Sequence, residues 1–342
     1  MDLRLPPLIM GGAGFSYQLH PQPDQIPISS IIQHAFDRGM LAIDTSPYYD
    51  PSEQLLGHAL ASPEIRTRYS REDYILMTKA GRISADKFDY SPEWIRESVL
   101  RSLDRLRTSY LDVVFCHDVE FVSSDQALAA VGALFALKKQ KKVRFVGVSG
   151  YSIDTLVRVA QRVRQVYNQP LDVVQNWAQL TLQNSRLETV AIPALREQGG
   201  VAVVCNSSPL ASGLLRSASV PSGKLGDWHP APAGLRDAVR TASEWVESQG
   251  STLVNLALRF SVARAMSISA ETNTRVHTIM GVSSISDIED NVSATAAILR
   301  ENSGSNNEDT RLTGEVDRDL VLRQGVRRIL GDWVDYDFEK KQ

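Results

Sequence analysis

Cysteine is scarce in this 342-residue chain, which carries only Cys116 and Cys205. Both lie inside apolar runs. That suits reduced core thiols, and two such residues make neither a disulfide framework nor a zinc site. The six histidines are scattered, with no His-Glu-x-x-His and no close cysteine pair, so no metal is expected. No stretch approaches the roughly 20 consecutive apolar residues of a membrane-spanning helix. The first residues, with Asp2, Arg4, Pro6 and Pro7, lack the length and flanks of a secretory signal. An excess of one charge is missing too. Lys plus Arg number 37 against 40 Asp plus Glu, a net −3, which calls for neither nucleic acid nor an anionic membrane. What remains is the expectation of a soluble cytoplasmic protein whose 43% hydrophobic residues suffice for a sizeable core.

Short β-branched runs alternate with helix-period segments along the chain. The candidate strands are Leu8–Phe15, Leu41–Ser46, Tyr74–Lys79, Asp112–His117, Val143–Ser149, Asp172–Trp177, Val201–Ser207 and His277–Ser284. Most are continuous apolar runs, the pattern of a parallel strand covered on both faces. Helices are expected over Ile28–Arg38, Trp94–Leu106, Asp125–Lys139, Ile153–Val166, Ser185–Gln198, Gly234–Gln249 and Thr252–Arg264. Ser91-Pro92-Glu93 reads as a helix start, with a capping serine, proline at the first helical position and an acid in the first turn. A dinucleotide fold of the open-sheet kind needs a third glycine that Gly12-Ala13-Gly14 lacks. The fold expected is therefore a closed (β/α)8 TIM barrel, a single α/β domain over residues 1–300. The long Gly213–Gly234 loop follows strand seven, and residues 301–342 are expected to form a polar linker and a C-terminal helical tail packed on the barrel.

In such a barrel the site lies at the C-terminal ends of the strands. There the second strand carries Asp44 near its end, with Tyr48 and Tyr49 just beyond it, the third ends in Lys79 and the fourth in His117. Each taken alone has an ordinary structural explanation. Together, at equivalent places on three successive strands, they point to a site. An apolar strand ending in an inward lysine needs an anionic partner, since an unpaired buried ammonium is costly. The chemistry that suits the set is proton transfer by a tyrosine. A phenol has pKa ~10, and a nearby ammonium stabilises its phenolate. A histidine beside it orients a carbonyl or hydroxyl substrate, and a cofactor supplies or accepts the hydride.

The run Asp44-Thr45-Ser46-Pro47-Tyr48-Tyr49 and the following Ser52-Glu53-Gln54-Leu55-Leu56-Gly57 resemble the first signature of the aldo-keto reductases. Its spacing selects Tyr49 over Tyr48. Lys79 in MTKAGR and His117 in VVFCHD match that family's lysine and histidine, and the likeness runs from about Leu8 to Leu299. The resemblance implies catalysis by Asp44, Tyr49, Lys79 and His117. It further implies cofactor contacts from Ser149 and Gln175 to the nicotinamide carboxamide and from Ser208, Leu210 and Ser212 to the pyrophosphate. Gly281, Ser283, Asp287, Asp290 and Asn291 would hold the adenosine end. Two positions depart from the family pattern. Gly150 stands where Asn is usual, and Ser207 where a stacking tyrosine is common.

The same resemblance implies NAD rather than NADP, because Gly281 and Asp287 stand where NADP-using members carry Lys and Arg for the 2′-phosphate. Within the family the likeness is to sugar dehydrogenases of the D-arabinose and L-galactose type, on the SPYY run, SPLASGLL and the Trp228-His229-Pro230-Ala231 stretch. Those enzymes oxidise the anomeric hydroxyl of a cyclic aldose, so an aldose partner is expected, with His117 and Trp228 facing it. The alternatives are an NADPH-dependent aldehyde or ketone reductase and a non-catalytic nucleotide-binding subunit. The oligomeric expectation is a monomer or homodimer.

Overall fold

In the computed structural model, which describes residues 2–216, 220, 229–301 and 310–339, the apolar runs form eight parallel strands. They are β1 Leu8–Gly11, β2 Ala42–Asp44, β3 Ile75–Ala80, β4 Leu111–His117, β5 Val143–Gly150, β6 Val173–Trp177, β7 Val203–Ser207 and β8 Arg275–Gly281. Each pairs with its neighbour in sequence, and β8 closes on β1. This is the expected (β/α)8 barrel. Closure leaves no unpaired sheet edge.

Helices α1 Ile28–Asp37, α2 Ser52–Leu60, α3 Pro63–Arg66, α4 Pro92–Arg105, α5 Ser124–Lys139 and α6 Ile153–Tyr167 link the first six strands. Helix α7 Ile192–Ala194 precedes β7, α8 Ala233–Ser248 and α9 Leu253–Glu271 precede β8, and α10 Ile285–Glu301 and α11 Thr310–Leu330 follow it. Ser91 Oγ accepts the Trp94 N–H at 3.3 Å, with Pro92 first in α4, as the sequence predicts. Helix α11 packs on α8, where Leu322, Val326 and Leu330 share one core cluster with Leu235 and Val239. Among the described residues no helix is long and apolar enough to cross a membrane.

Several boundaries move. Strand β1 stops at Gly11, and Gly12–Phe15 wind into a tight turn against the Val282–Ser283 loop. A Cβ on Gly14 would lie 2.4 Å from the Val282 carbonyl oxygen. Strand β8 runs Arg275–Gly281 rather than His277–Ser284, because Ser283 and Ser284 cap α10 through Asp287. Helix α9 continues to Glu271, beyond the expected end at Arg264. The segment expected as a helix over Ser185–Gln198 is wound more loosely on either side of α7, where Pro193 lacks an N–H.

Strand alternation divides the core into two shells. Met10, Ile43, Leu76, Val114, Val146, Val174 and Val204 pack outward against the helices. Ile9, Ala42, Met77, Val113, Phe115, Phe145, Val173 and Cys205 fill the barrel interior, with Leu3 and Leu5 in the same cluster. Gly147 makes room for the largest of these. A Cβ there would lie 2.5 Å from the Val173 carbonyl oxygen and 2.7 Å from Phe115 Cδ1. Gly147→Ala should therefore destabilise the barrel by about 1–3 kcal/mol, the usual cost of overpacking. A lowered thermal midpoint would show it, and an unchanged midpoint would mean the interior relaxes freely around the methyl group.

Candidate active site

The same alternation that fills the interior carries polar side chains to its upper end. Two residues beyond inward Ala42 stands Asp44, two beyond Met77 stands Lys79, and two beyond Phe115 stands His117. Pairing then sets His117 opposite Ser149 and Ser149 opposite Gln175. Lys79 Nζ donates to Asp44 Oδ2 at 2.7 Å and to the Thr45 carbonyl oxygen at 3.0 Å. Gln175 Nε2 reaches the same carboxylate oxygen at 3.5 Å. The two charged side chains are only 1% and 5% exposed, so each depends on the other for compensation of its charge.

Tyr49 stands on the turn that leads from β2 into α2, its ring centroid 5.1 Å from Lys79 Nζ and 5.9 Å from the His117 ring. Tyr49, Lys79, His117, Ser149 and Gln175 line one cavity of about 200 Å³. The four expected catalytic side chains are thus neighbours. Tyr49 is half-buried against the cavity wall. That burial pushes the phenol above its usual range although Lys79 pulls it down. Lys79 thus acts on the phenol in the expected direction, and desolvation of a phenolate outweighs that attraction. Burial likewise pushes the Asp44 carboxyl up against the pull of Lys79. It opposes the Lys79 ammonium too, but the attraction of Asp44 and Tyr49 leaves that group raised.

Burial pushes the His117 imidazole down to about 3 against the pull of Asp118, so the ring is neutral at ordinary pH. Ser46 Oγ lies 3.1 Å from His117 Nδ1 and accepts the Tyr48 N–H at 3.1 Å. Asp118 Oδ2 lies 3.6 Å from His117 Nε2 and is ion-paired to Arg82 Nη1. The Arg82 guanidinium stacks 4.1 Å from the Tyr48 ring, and its Nη2 donates to the Tyr48 hydroxyl at 3.4 Å. Sequence reasoning did not single out Ser46 or Arg82. The available signals were a cation three residues beyond Lys79 and an acid beside His117.

The cofactor side fits a nicotinamide dinucleotide at several points. Ser149 and Gln175 line the cavity, and Gln175 Oε1 is buried without a hydrogen-bond partner. Ser208 and Ser212 also line it, both with left-handed backbone, as has Ala211 between them (φ 57°, 55° and 50°). Leu210 lies within the same turn, where the Gly213 N–H donates to its carbonyl oxygen at 3.0 Å. Backbone of this kind turns N–H groups toward anions. At the β8 end, Gly281 and Ser283 are exposed, as is Asp290, whereas Asn291 is buried with Nδ2 unpartnered. Asp287 Oδ2 accepts from Ser283 N, Ser283 Oγ and Ser284 N at 2.7, 2.8 and 3.0 Å, so that oxygen is engaged at the start of α10. Beside Gly150, Glu120 Oε2 lies 2.1 Å from where a Cβ would stand, so this carboxylate occupies the space an asparagine would need. Trp177, paired with Ser207 in the sheet, brings an aromatic ring to the cavity wall. Trp228 lies outside the described residues.

A model of the Aldo/keto reductase family matches residues 7–304. D-arabinose 1-dehydrogenase of Saccharomyces cerevisiae is 36% identical over 285 residues, 83% of this chain and 81% of that protein. L-galactose dehydrogenase of Arabidopsis thaliana is 35% identical over 271 residues, 78% of this chain and 77% of that one. Among solved structures, an aldo-keto reductase of Bacillus halodurans in its holo form superposes with a TM-score of 0.64. It is 21% identical and covers 99% of this chain and 95% of that one, a likeness of fold.

A neutral buried histidine has a consequence for stability. The folded state leaves His117 unprotonated down to about 3, while the unfolded chain takes up its proton near 6.5. Between those values the unfolded state binds more protons, so stability falls as pH falls. His117→Asn should flatten the decline by up to about 1.4 kcal/mol per pH unit. Thermal midpoints of the two proteins measured from neutral pH downward should converge, and parallel curves would show that His117 is protonated in the fold.

Proposed function

The chain belongs to the aldo/keto reductase family, and from that premise we propose that it oxidises the anomeric C1 hydroxyl of a cyclic aldose of the D-arabinose, L-galactose or L-fucose class to the lactone, with NAD as hydride acceptor, in the cytoplasm. The observation that carries it is the convergence of Tyr49, Lys79 and His117 at one cavity, with Asp44 paired to Lys79, in a chain 35–36% identical to two sugar dehydrogenases. The bound nicotinamide supplies the place to which the C1 hydrogen leaves as hydride. Tyr49 takes the proton from the C1 hydroxyl as the carbonyl forms, and Lys79, held by Asp44, stabilises the phenolate that accepts it. Neutral His117 orients the same oxygen. Asp118 and Arg82 give the mouth an acceptor and a donor for the remaining ring hydroxyls, and Trp177 offers a face where the usual stacking tyrosine is replaced by Ser207.

Two features support NAD. Neither position 281 nor 287 offers a cation for a 2′-phosphate, and Asp287 holds a fixed negative charge beside Ser283 and Ser284. Its carboxylate can accept a hydrogen bond from a ribose 2′-hydroxyl.

The test is nicotinamide reduction across a panel of free aldoses with each cofactor. We expect turnover of D-arabinose, L-galactose or L-fucose, with NAD preferred. A tenfold or greater preference for NADP would reverse the cofactor assignment, and turnover of simple aldehydes alone would reverse the substrate assignment. Tyr49→Phe should lower turnover by about 10²- to 10⁴-fold, the worth of a positioned proton acceptor, while nucleotide binding stays near wild type. Retained activity would remove Tyr49 from the chemistry. Because the phenol is raised, aldose oxidation should climb with pH through the alkaline range while the reverse reduction declines there. A pH-independent oxidation rate would contradict the role of Tyr49 as base.

A further inference from the structure

We propose that Ser46 is a positioning residue that fixes neutral His117 in its Nε2–H tautomer, so that the imidazole meets the substrate oxygen as a hydrogen-bond donor. The catalytic consequence rests on the dehydrogenase proposed above, whereas the tautomer itself does not.

A hydroxyl carries one proton and can both give and accept. Ser46 Oγ is 1% exposed as a residue, accepts the Tyr48 N–H at 3.1 Å and stands 3.1 Å from His117 Nδ1. Among the described residues Nδ1 is the acceptor within reach of the Ser46 proton. If Nδ1 carried the hydrogen instead, Oγ would accept twice and its own buried hydrogen would have no partner, which folded proteins avoid.

The other side of the ring gives an independent argument. Asp118 Oδ2, paired with Arg82, lies 3.6 Å from His117 Nε2. A carboxylate facing a ring lone pair is repelled, and one facing a ring N–H is attracted. Both nitrogens therefore name the same tautomer. The ring also stands edge-on between Tyr48 and Tyr49, at 5.9 Å and interplanar angles of 73° and 82°, so packing holds the orientation that Ser46 selects. The hydrogen bond made by one nitrogen of a histidine commonly sets what the other presents.

The test is nitrogen-15 NMR of the histidine-labelled protein without substrate, with the His117 signals assigned by their absence from His117→Asn. The expected pattern is Nδ1 unprotonated and Nε2 protonated, and the converse pattern overturns the proposal. In Ser46→Ala the two tautomers should mix, and kcat/KM for the best substrate should fall about tenfold. Ser46→Thr keeps the hydroxyl and should restore both. A Ser46→Ala protein whose His117 stays wholly Nε2–H would show that Ser46 does not set the tautomer. Should Ser46→Ala fail to fold, the wild-type and Ser46→Thr spectra decide, and an Nδ1–H pattern in either overturns the proposal. The expected tautomer in a protein that oxidises no aldose would fail the proposed function alone.

Discussion

Lys79 Nζ and Asp44 Oδ2 stand 2.7 Å apart where water scarcely reaches, and the mouth of the barrel is arranged around that contact. Neither charge is tolerable there alone. Removing one partner of such a pair leaves an uncompensated charge whose burial costs about 3–5 kcal/mol. The main chain shares the task through the Thr45 carbonyl oxygen, and Gln175 reaches across from β6. Three strands and the turn after β2 are therefore tied together through one ion pair. That ammonium faces the Tyr49 ring at 5.1 Å, so the group that stabilises the site is also the one that favours loss of the phenol proton.

The pair is possible only because the layers beneath it are dry and filled. Phe115 occupies the interior where Gly147 lacks a side chain, and Met77, Val113 and Cys205 complete the packing. Burial that gives the barrel its core also sets the electrostatics above it, lifting the phenol and carboxyl and holding His117 neutral. The chain beyond the barrel returns to the same rim. Phe338 N donates to the Tyr151 hydroxyl at 2.8 Å, and Gln183 Nε2 donates to the Trp333 and Tyr336 carbonyl oxygens at 2.9 and 3.2 Å. Tyr151 in turn packs against Trp177 at 4.6 Å, so the C-terminal segment buttresses the cavity wall.

Much of this was legible in the order of residues. Continuous apolar runs read as strands covered on both faces, and Asp44, Lys79 and His117 each stand at or beside a strand end, where a barrel gathers its polar groups. Errors arose where a local pattern had two outcomes. Ser283 and Ser284 prolong the β8 run plausibly in sequence, but Asp287 recruits them to cap α10. The pull of Lys79 on the phenol is legible in the motif, whereas the larger effect of desolvation is not. Arg82, Ser46 and Glu120 escaped notice for a related reason. Their partners Asp118, His117 and Tyr151 are 36, 71 and 31 residues away in the chain.

The sequence by itself determined the architecture and which polar groups gather at the barrel mouth, because hydrophobic periodicity and strand-end position are local properties that survive without coordinates. Tertiary structure alone decided how burial shifts Tyr49 and His117, which groups face the two ring nitrogens of His117, and the carboxylate that fills the space beside Gly150. Those depend on which distant groups share a small volume and how little water enters it. Electrostatic energy in such a place is fixed by distance and dielectric, and the order of residues along the chain specifies neither.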